Sequence, residues 1–138
     1  ITKNVGNKTE SFKIQNSKDA YNFISKIFNQ EVLEVREEFL VLFLNRANKT
    51  IAWSKISSGG LSGTVVDTRL IFKQALDCLA SGIVLAHNHP SGNLKPSNQD
   101  IEITNKIKDA AKLFEMNVIE HLILTAEGYY SFMDEGKL

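Results

Sequence analysis

The run "FLVLFL" at residues 39–44 is apolar at every position. A strand with one wet face alternates apolar and polar residues. A strand without alternation needs cover on both faces and belongs in the middle of a sheet. Two glutamates precede the run. Alternation puts Glu37, Phe39, Val41 and Phe43 on one face and Glu38, Leu40, Leu42 and Leu44 on the other. A turn around Ala47 and Asn48 returns the chain through a second strand containing Trp53. The remaining segments must therefore supply a layer for each face.

Three segments have helical periodicity. "NSKDAYNFISKIF" places Ser17 as N-cap before Ala20, Phe23, Ile24 and Ile27. After the Gly- and Ser-rich loop "SSGGLSGTVV", Asp67 caps a helix carrying Leu70, Ile71, Leu76, Cys78 and Leu79, which Gly82 is expected to end. From Asn98 to about Met116, Ile103, Ile107, Ala110, Ala111 and Phe114 mark a third helix. "GIVLAH" reads as a short buried strand, and "VIEHLILT" with "EGYYSF" as two more strands meeting around Gly128. This order predicts an α/β fold, a mixed central sheet flanked by helices. With 138 residues, 43% of them hydrophobic, the chain is expected to form a single domain over 1–138, about 1–35 being a short N-terminal strand and helix.

Sixteen Lys plus Arg balance sixteen Asp plus Glu. That balance offers no bulk positive field for coating nucleic acid, so nucleic-acid binding by this chain alone is not expected. Cys78 is the single cysteine, which rules out an internal disulfide and a Cys-rich zinc site and fits a reducing, cytoplasmic setting. No apolar run reaches membrane-spanning length, and the polar start "ITKNVGNKTE" lacks a signal-peptide core. Oligomeric state has no signature in the sequence.

The chemistry concentrates in "AHNHPSGNLKPSNQD" at residues 86–100. Residues two apart on a strand point the same way, so His87 and His89 can offer both imidazoles to one metal ion. The loop from Pro90 to Pro96 reverses the chain, and Ser97 as N-cap makes Asp100 the third residue of the next helix, near the strand's end. Two imidazoles, a carboxylate and a water make a four-coordinate zinc site with an open position. Taken singly, Ser-x-x-Asp is an ordinary cap and Pro-Ser-Gly-Asn an ordinary turn. Their conjunction with H-x-H at this spacing is expected by chance on the order of a few times in ten thousand chains of this length. The metal reading is therefore preferred.

These residues resemble a known family. "HNHPSGNLKPSNQD" is similar to the JAMM signature of the JAB/MPN metalloproteases, H-x-H-P followed by S-x-x-D with an upstream Glu. "AHNHPSG", "GLSGTVVDTRLIFKQAL", "EHLILTAEGYYSF" and a strand ending "VLFL" resemble more closely the JAB domain of bacterial RadC-like proteins, over about Glu37 to Lys137. The resemblance implies a cytidine-deaminase-like α/β/α sandwich with His87, His89 and Asp100 as zinc ligands. It further implies Glu37 as the acid acting on the water and Ser97 as a helper at the developing oxyanion. Strand parity by itself leaves Glu37 and Glu38 open, and without the histidines both read as solvated charges; the resemblance selects Glu37. RadC-like proteins usually carry a helix-hairpin-helix region before this domain, and none is expected in this chain. The family carries a DNA repair label, and that region is the part of it that resembles a DNA-binding module.

His121, in "VIEHLILT", is read as a structural hydrogen-bonding residue outside the metal site. Cys78 is read as a small core residue and Arg69 as a surface or ion-pairing residue. Two functions fit. One is a zinc hydrolase of peptide or isopeptide bonds, with a zinc-activated water and Glu37 as general base. The other is a metal-stabilised binding module associated with DNA repair or recombination, without catalysis. A zinc deaminase would need H-x-E and P-C-x-x-C, which one cysteine cannot supply. The letters "HNH" do not make an HNH nuclease, whose three residues are not adjacent.

Overall fold

The computed structural model describes residues 7–58 and 66–138. Six strands form one sheet in the order β1-β3-β2-β4-β5-β6. They are β1 (Asn7–Lys8), β2 (Glu38–Leu44), β3 (Thr50–Ser58), β4 (Gly82–Asn88), β5 (Asn117–Thr125) and β6 (Gly128–Ser131). Three α-helices, α1 (Ser17–Ser25), α2 (Thr68–Asp77) and α3 (Asn98–Leu113), and a short 3-10 turn at Gln30–Val32 complete the described chain. The pairs β1/β3, β2/β3, β2/β4 and β5/β6 are antiparallel, whereas β4/β5 is parallel with α3 as its crossover. The sheet is mixed, as the order of elements predicts.

β2 lies between β3 and β4 and is buried along its whole length. Phe39, Val41 and Phe43 pack with Ile83 and Leu85 of β4 against Ile71, Phe72 and Ala75 of α2 and Ile107 and Ala111 of α3. Leu40, Leu42 and Leu44 face the other way, against Ala20 and Ile24 of α1 together with Phe28 and Leu33. The two layers demanded by the unalternating strand are thus α2 with α3 on one side and α1 with its following segment on the other.

Local details differ from expectation in four places. The N-cap of α1 is Asn16, whose side chain accepts the Asp19 N–H. Ser17 is the first helical residue and donates its hydroxyl to Asp134 at 2.5 Å. Helix α2 stops at Asp77, well before Gly82. Leu79 takes the left-handed conformation at φ 54, while Leu79 N–H bonds Leu76 C=O and Ala80 N–H bonds Ala75 C=O. That pair of bonds is a Schellman closure, so a leucine stands where glycine is the usual solution. Gly82 instead opens β4, where a Cβ would come within 2.5 Å of the Ile119 side chain. On α2 the buried residues are Ile71, Phe72 and Ala75, and Leu70, Leu76 and Leu79 are exposed. Helix α3 ends at Leu113 rather than Met116, closed the same way through Glu115 at φ 59. Asp67 caps α2 as expected, with its carboxylate accepting from Arg69, and Arg69 is an exposed ion-pairing residue. Cys78 is half-buried against the core, and burial pushes its thiol up. Most of the Gly- and Ser-rich loop lies outside the described residues. No helix among the described residues is long and apolar enough to cross a membrane.

Candidate metal centre

β4 delivers the histidines. Ile83, Leu85 and His87 share its α2/α3 face, and His87 pairs in register with Phe39 of β2 and Ile123 of β5. A turn follows, closed by the Gly92 N–H bonding the His89 carbonyl, with Gly92 at φ 85, a conformation suited to glycine. The loop then leads to α3, whose cap is a reciprocal box. Asp100 N–H donates to Ser97 Oγ at 3.0 Å, and Ser97 N–H donates to Asp100 Oδ2 at 2.8 Å.

These elements bring His87, His89 and Asp100 together. His87 Nε2 lies 3.1 Å from Asp100 Oδ1, His89 Nε2 lies 3.0 Å from Asp100 Oδ2, and the two Nε2 atoms are 3.1 Å apart. Among the described residues these three form a group whose ligand atoms all lie within 4.8 Å of one another. His89 Nδ1 donates to the Asn93 carbonyl at 2.6 Å, so in the neutral ring Nε2 carries the lone pair. Lone pairs and carboxylate oxygens packed this closely repel unless a cation or proton sits among them. Two nitrogens and a carboxylate suit a divalent transition metal with a coordination position to spare. The residues present therefore fit a metal ion.

The electrostatics agree. Burial works to raise the Asp100 carboxyl, but hydrogen bonds from His87 and His89, the charge of His87 and the Ser97 N–H hold it well below the usual carboxylate range. Burial works against a charged His89, yet Asp100, the Asn93 carbonyl and the charge of Glu37 together hold it above its ordinary value. Glu37 sits one residue before β2, half-buried. Burial raises its carboxyl, His87 and His89 oppose that, and Asp100 adds to it, so Glu37 lies within electrostatic reach of all three.

Glu38 is not the solvated charge that the sequence leaves open. It is buried on the other face and pairs with Lys55 at 3.3 Å and Arg36 at 3.5 Å. Ser97 is exposed and engaged as the α3 cap. His121 is outside the converging group but directly behind it. Its Nε2 lies 2.8 Å from His87 Nδ1 and its Nδ1 lies 2.7 Å from Thr104 Oγ1. Phe39 stacks on His87 and Phe132 on His121, at ring separations of 5.7 and 4.5 Å, which fixes both imidazole planes.

A family model described as RadC-like JAB domain matches residues 14–137. The chain belongs to the RadC-like JAB domain family. A "UPF0758 protein" of Flavobacterium johnsoniae is 48% identical over 124 residues, covering 90% of this chain and 53% of that protein. Another from Porphyromonas gingivalis is 44% identical over 126 residues, with 91% and 54% covered. "UPF0758 protein YfjY" of Escherichia coli is 42% identical over 103 residues, with 75% and 64% covered. The chain spans about half the length of the first two of these relatives. In this RadC-like domain the mixed sheet with helices on both faces occurs as the sequence predicts.

The sequence reading missed Asn88, the middle residue of H-x-H. Fully buried, it points away from the histidines and donates to the Leu33 and Arg36 carbonyls, both at 2.9 Å, while accepting the Glu38 N–H at 2.7 Å. Its sequence signal is slight, an amide at the end of a buried strand between two histidines.

Proposed function

We propose that this RadC-like JAB domain is a zinc-dependent hydrolase of the JAMM type, cleaving a peptide or isopeptide bond in a protein or peptide substrate. Its main support is the convergence of His87 Nε2, His89 Nε2 and the Asp100 carboxylate at 3.0–3.1 Å, with the Glu37 carboxyl half-buried and within electrostatic reach of all three. Zinc held by these three residues would supply Lewis acidity for activating water and polarising a carbonyl.

Glu37 takes the proton from the attacking water and returns it to the leaving amine. Its raised carboxyl suits this double duty, because a stronger base also becomes an acid usable near neutrality. Ser97 Oγ accepts one hydrogen bond from Asp100 N–H and still has a proton to donate to the oxyanion. The same cap bonds hold the Asp100 carboxylate in its orientation.

The test is a panel of peptides and isopeptide-linked conjugates, with zinc content measured in parallel. Expected are near one equivalent of zinc per chain, hydrolysis of at least one class, and loss of that hydrolysis in Glu37→Gln with zinc retained. Zinc retained by the parent with no hydrolysis of any conjugate would favour a metal-stabilised binding module instead.

A further inference from the structure

Resting on the reading of His87 as a metal ligand, we propose that Thr104 and His121 are positioning residues. They form a hydrogen-bonded relay that keeps the proton of His87 on Nδ1 and leaves Nε2 bare for the metal.

The direction of the relay follows from its far end. Thr104 Oγ1 lies 2.6 Å from the Asp100 carbonyl and 2.7 Å from His121 Nδ1. A carbonyl can only accept, so the single hydroxyl proton goes to Asp100, and Oγ1 must accept from His121 Nδ1–H. His121 is wholly buried, and among the described residues its two ring nitrogens bond Thr104 and His87, with no carboxylate hydrogen-bonded to the ring to support a second proton. Its Nε2 is therefore a lone pair, and His87 Nδ1–H donates to it across 2.8 Å. A neutral His87 has one ring proton, so Nε2 is left free, facing His89 and Asp100.

The relay starts and ends on one residue. Asp100 offers its carboxylate to the centre and its backbone carbonyl to Thr104, one helical turn along α3. The centre and its support are thus locked in a ring through β4, β5 and α3. A β-bulge makes this possible. Val118 pairs with Ile83 and Glu120 with Val84, which leaves Ile119 as the extra residue. Simple alternation from Val118 would turn His121 to the α1 face; the bulge shifts the parity and brings it behind His87. Glu120 accepts the His121 N–H at 2.8 Å, the Met133 N–H at 3.1 Å and the Ser131 hydroxyl at 2.6 Å, which holds the bulge in place. His89 is served separately by the Asn93 carbonyl, so the two imidazoles have independent tautomer locks.

The experiment combines proton location with zinc affinity. Long-range proton–nitrogen correlation spectra of the histidine rings, recorded on metal-stripped and zinc-loaded protein, should show a proton on His87 Nδ1 in both. Chelator competition with zinc should then show Thr104→Val weakened ten- to a hundred-fold at unchanged one-to-one stoichiometry, as expected for loss of a supporting hydrogen bond. Thr104→Ser, which keeps the hydroxyl, should restore the affinity. His87 without a proton on Nδ1, or Thr104→Val binding zinc as tightly as the parent, would overturn the relay. The spectra of the metal-stripped protein also separate the two ideas. If the parent took up no zinc, the metal reading would fail, while a His87 Nδ1–H signal lost in Thr104→Val would still uphold the relay.

Discussion

Asn88 binds both peptide groups that flank Glu37. Its side chain accepts the Glu38 N–H at 2.7 Å and donates to the Arg36 carbonyl at 2.9 Å, so the backbone on either side of the acid is tied to β4 between the two histidines. Asn88→Ala should cost about 3 kcal/mol, since it strands buried backbone groups at Glu38, Arg36 and Leu33. Urea unfolding measures this. A loss below about 1 kcal/mol would mean that water or local repacking replaces the amide.

Glu37 and Glu38 should separate cleanly by substitution. Glu37→Gln keeps shape but cannot take a proton, so zinc should remain while hydrolysis falls by roughly a hundred- to ten-thousand-fold. Glu38→Gln faces Lys55 and Arg36 and should alter hydrolysis little, costing stability of about 1.5–3 kcal/mol because a buried carboxylate loses its charge-assisted bond to Lys55. Rates of a cleaved conjugate, with metal content as control, check both. Reversed phenotypes would move the base to Glu38.

Removing a ligand differs from removing its support. His89→Ala should lose stoichiometric zinc, because only two of the three converging groups remain. His121→Ala should still bind one equivalent at saturating zinc, with lower affinity. Elemental analysis after dialysis against excess zinc distinguishes these cases, and an empty His121→Ala would make that residue a ligand.

Protons should compete with the metal at His89. Its imidazole is held above the ordinary 6.5 in the metal-free protein, so a proton stays on it to higher pH than on a free histidine. Apparent zinc affinity should therefore rise with pH through neutrality and level off only above that raised value. The stability term has the opposite slope. A raised folded value stabilises fully below about 6.5 and is lost as pH rises through the folded value, so this contribution to metal-free protein fades on the alkaline side. Calorimetric zinc titrations at several pH values, with unfolding of the stripped protein, test both slopes. A flat affinity across neutrality would contradict the assignment.

Features governed by near neighbours were legible in the sequence. The unalternating β2 announced a covered interior strand, and Ser97 with Asp100 announced a cap whose third residue turns back toward the strand end. The two-residue spacing of His87 and His89 announced a shared side. The errors were also local in kind. Gly82 looked like a helix stop because glycine usually takes the left-handed position, whereas Leu79 and Glu115 hold that conformation here.

The sequence by itself determined the α/β class, the interior strand and the three converging groups, because periodicity, capping and spacing act within a few residues along the chain. Only the tertiary structure decided which buried polar groups stand behind that centre. Asn88 reaches back across some fifty positions to the segment around Glu37, and His121 reaches His87 from the neighbouring strand. His121 faces His87 because a bulge at Ile119 inverts the alternation that a linear reading assumes. Such partners are set by strand pairing and register, where one inserted residue exchanges the two faces of a sheet.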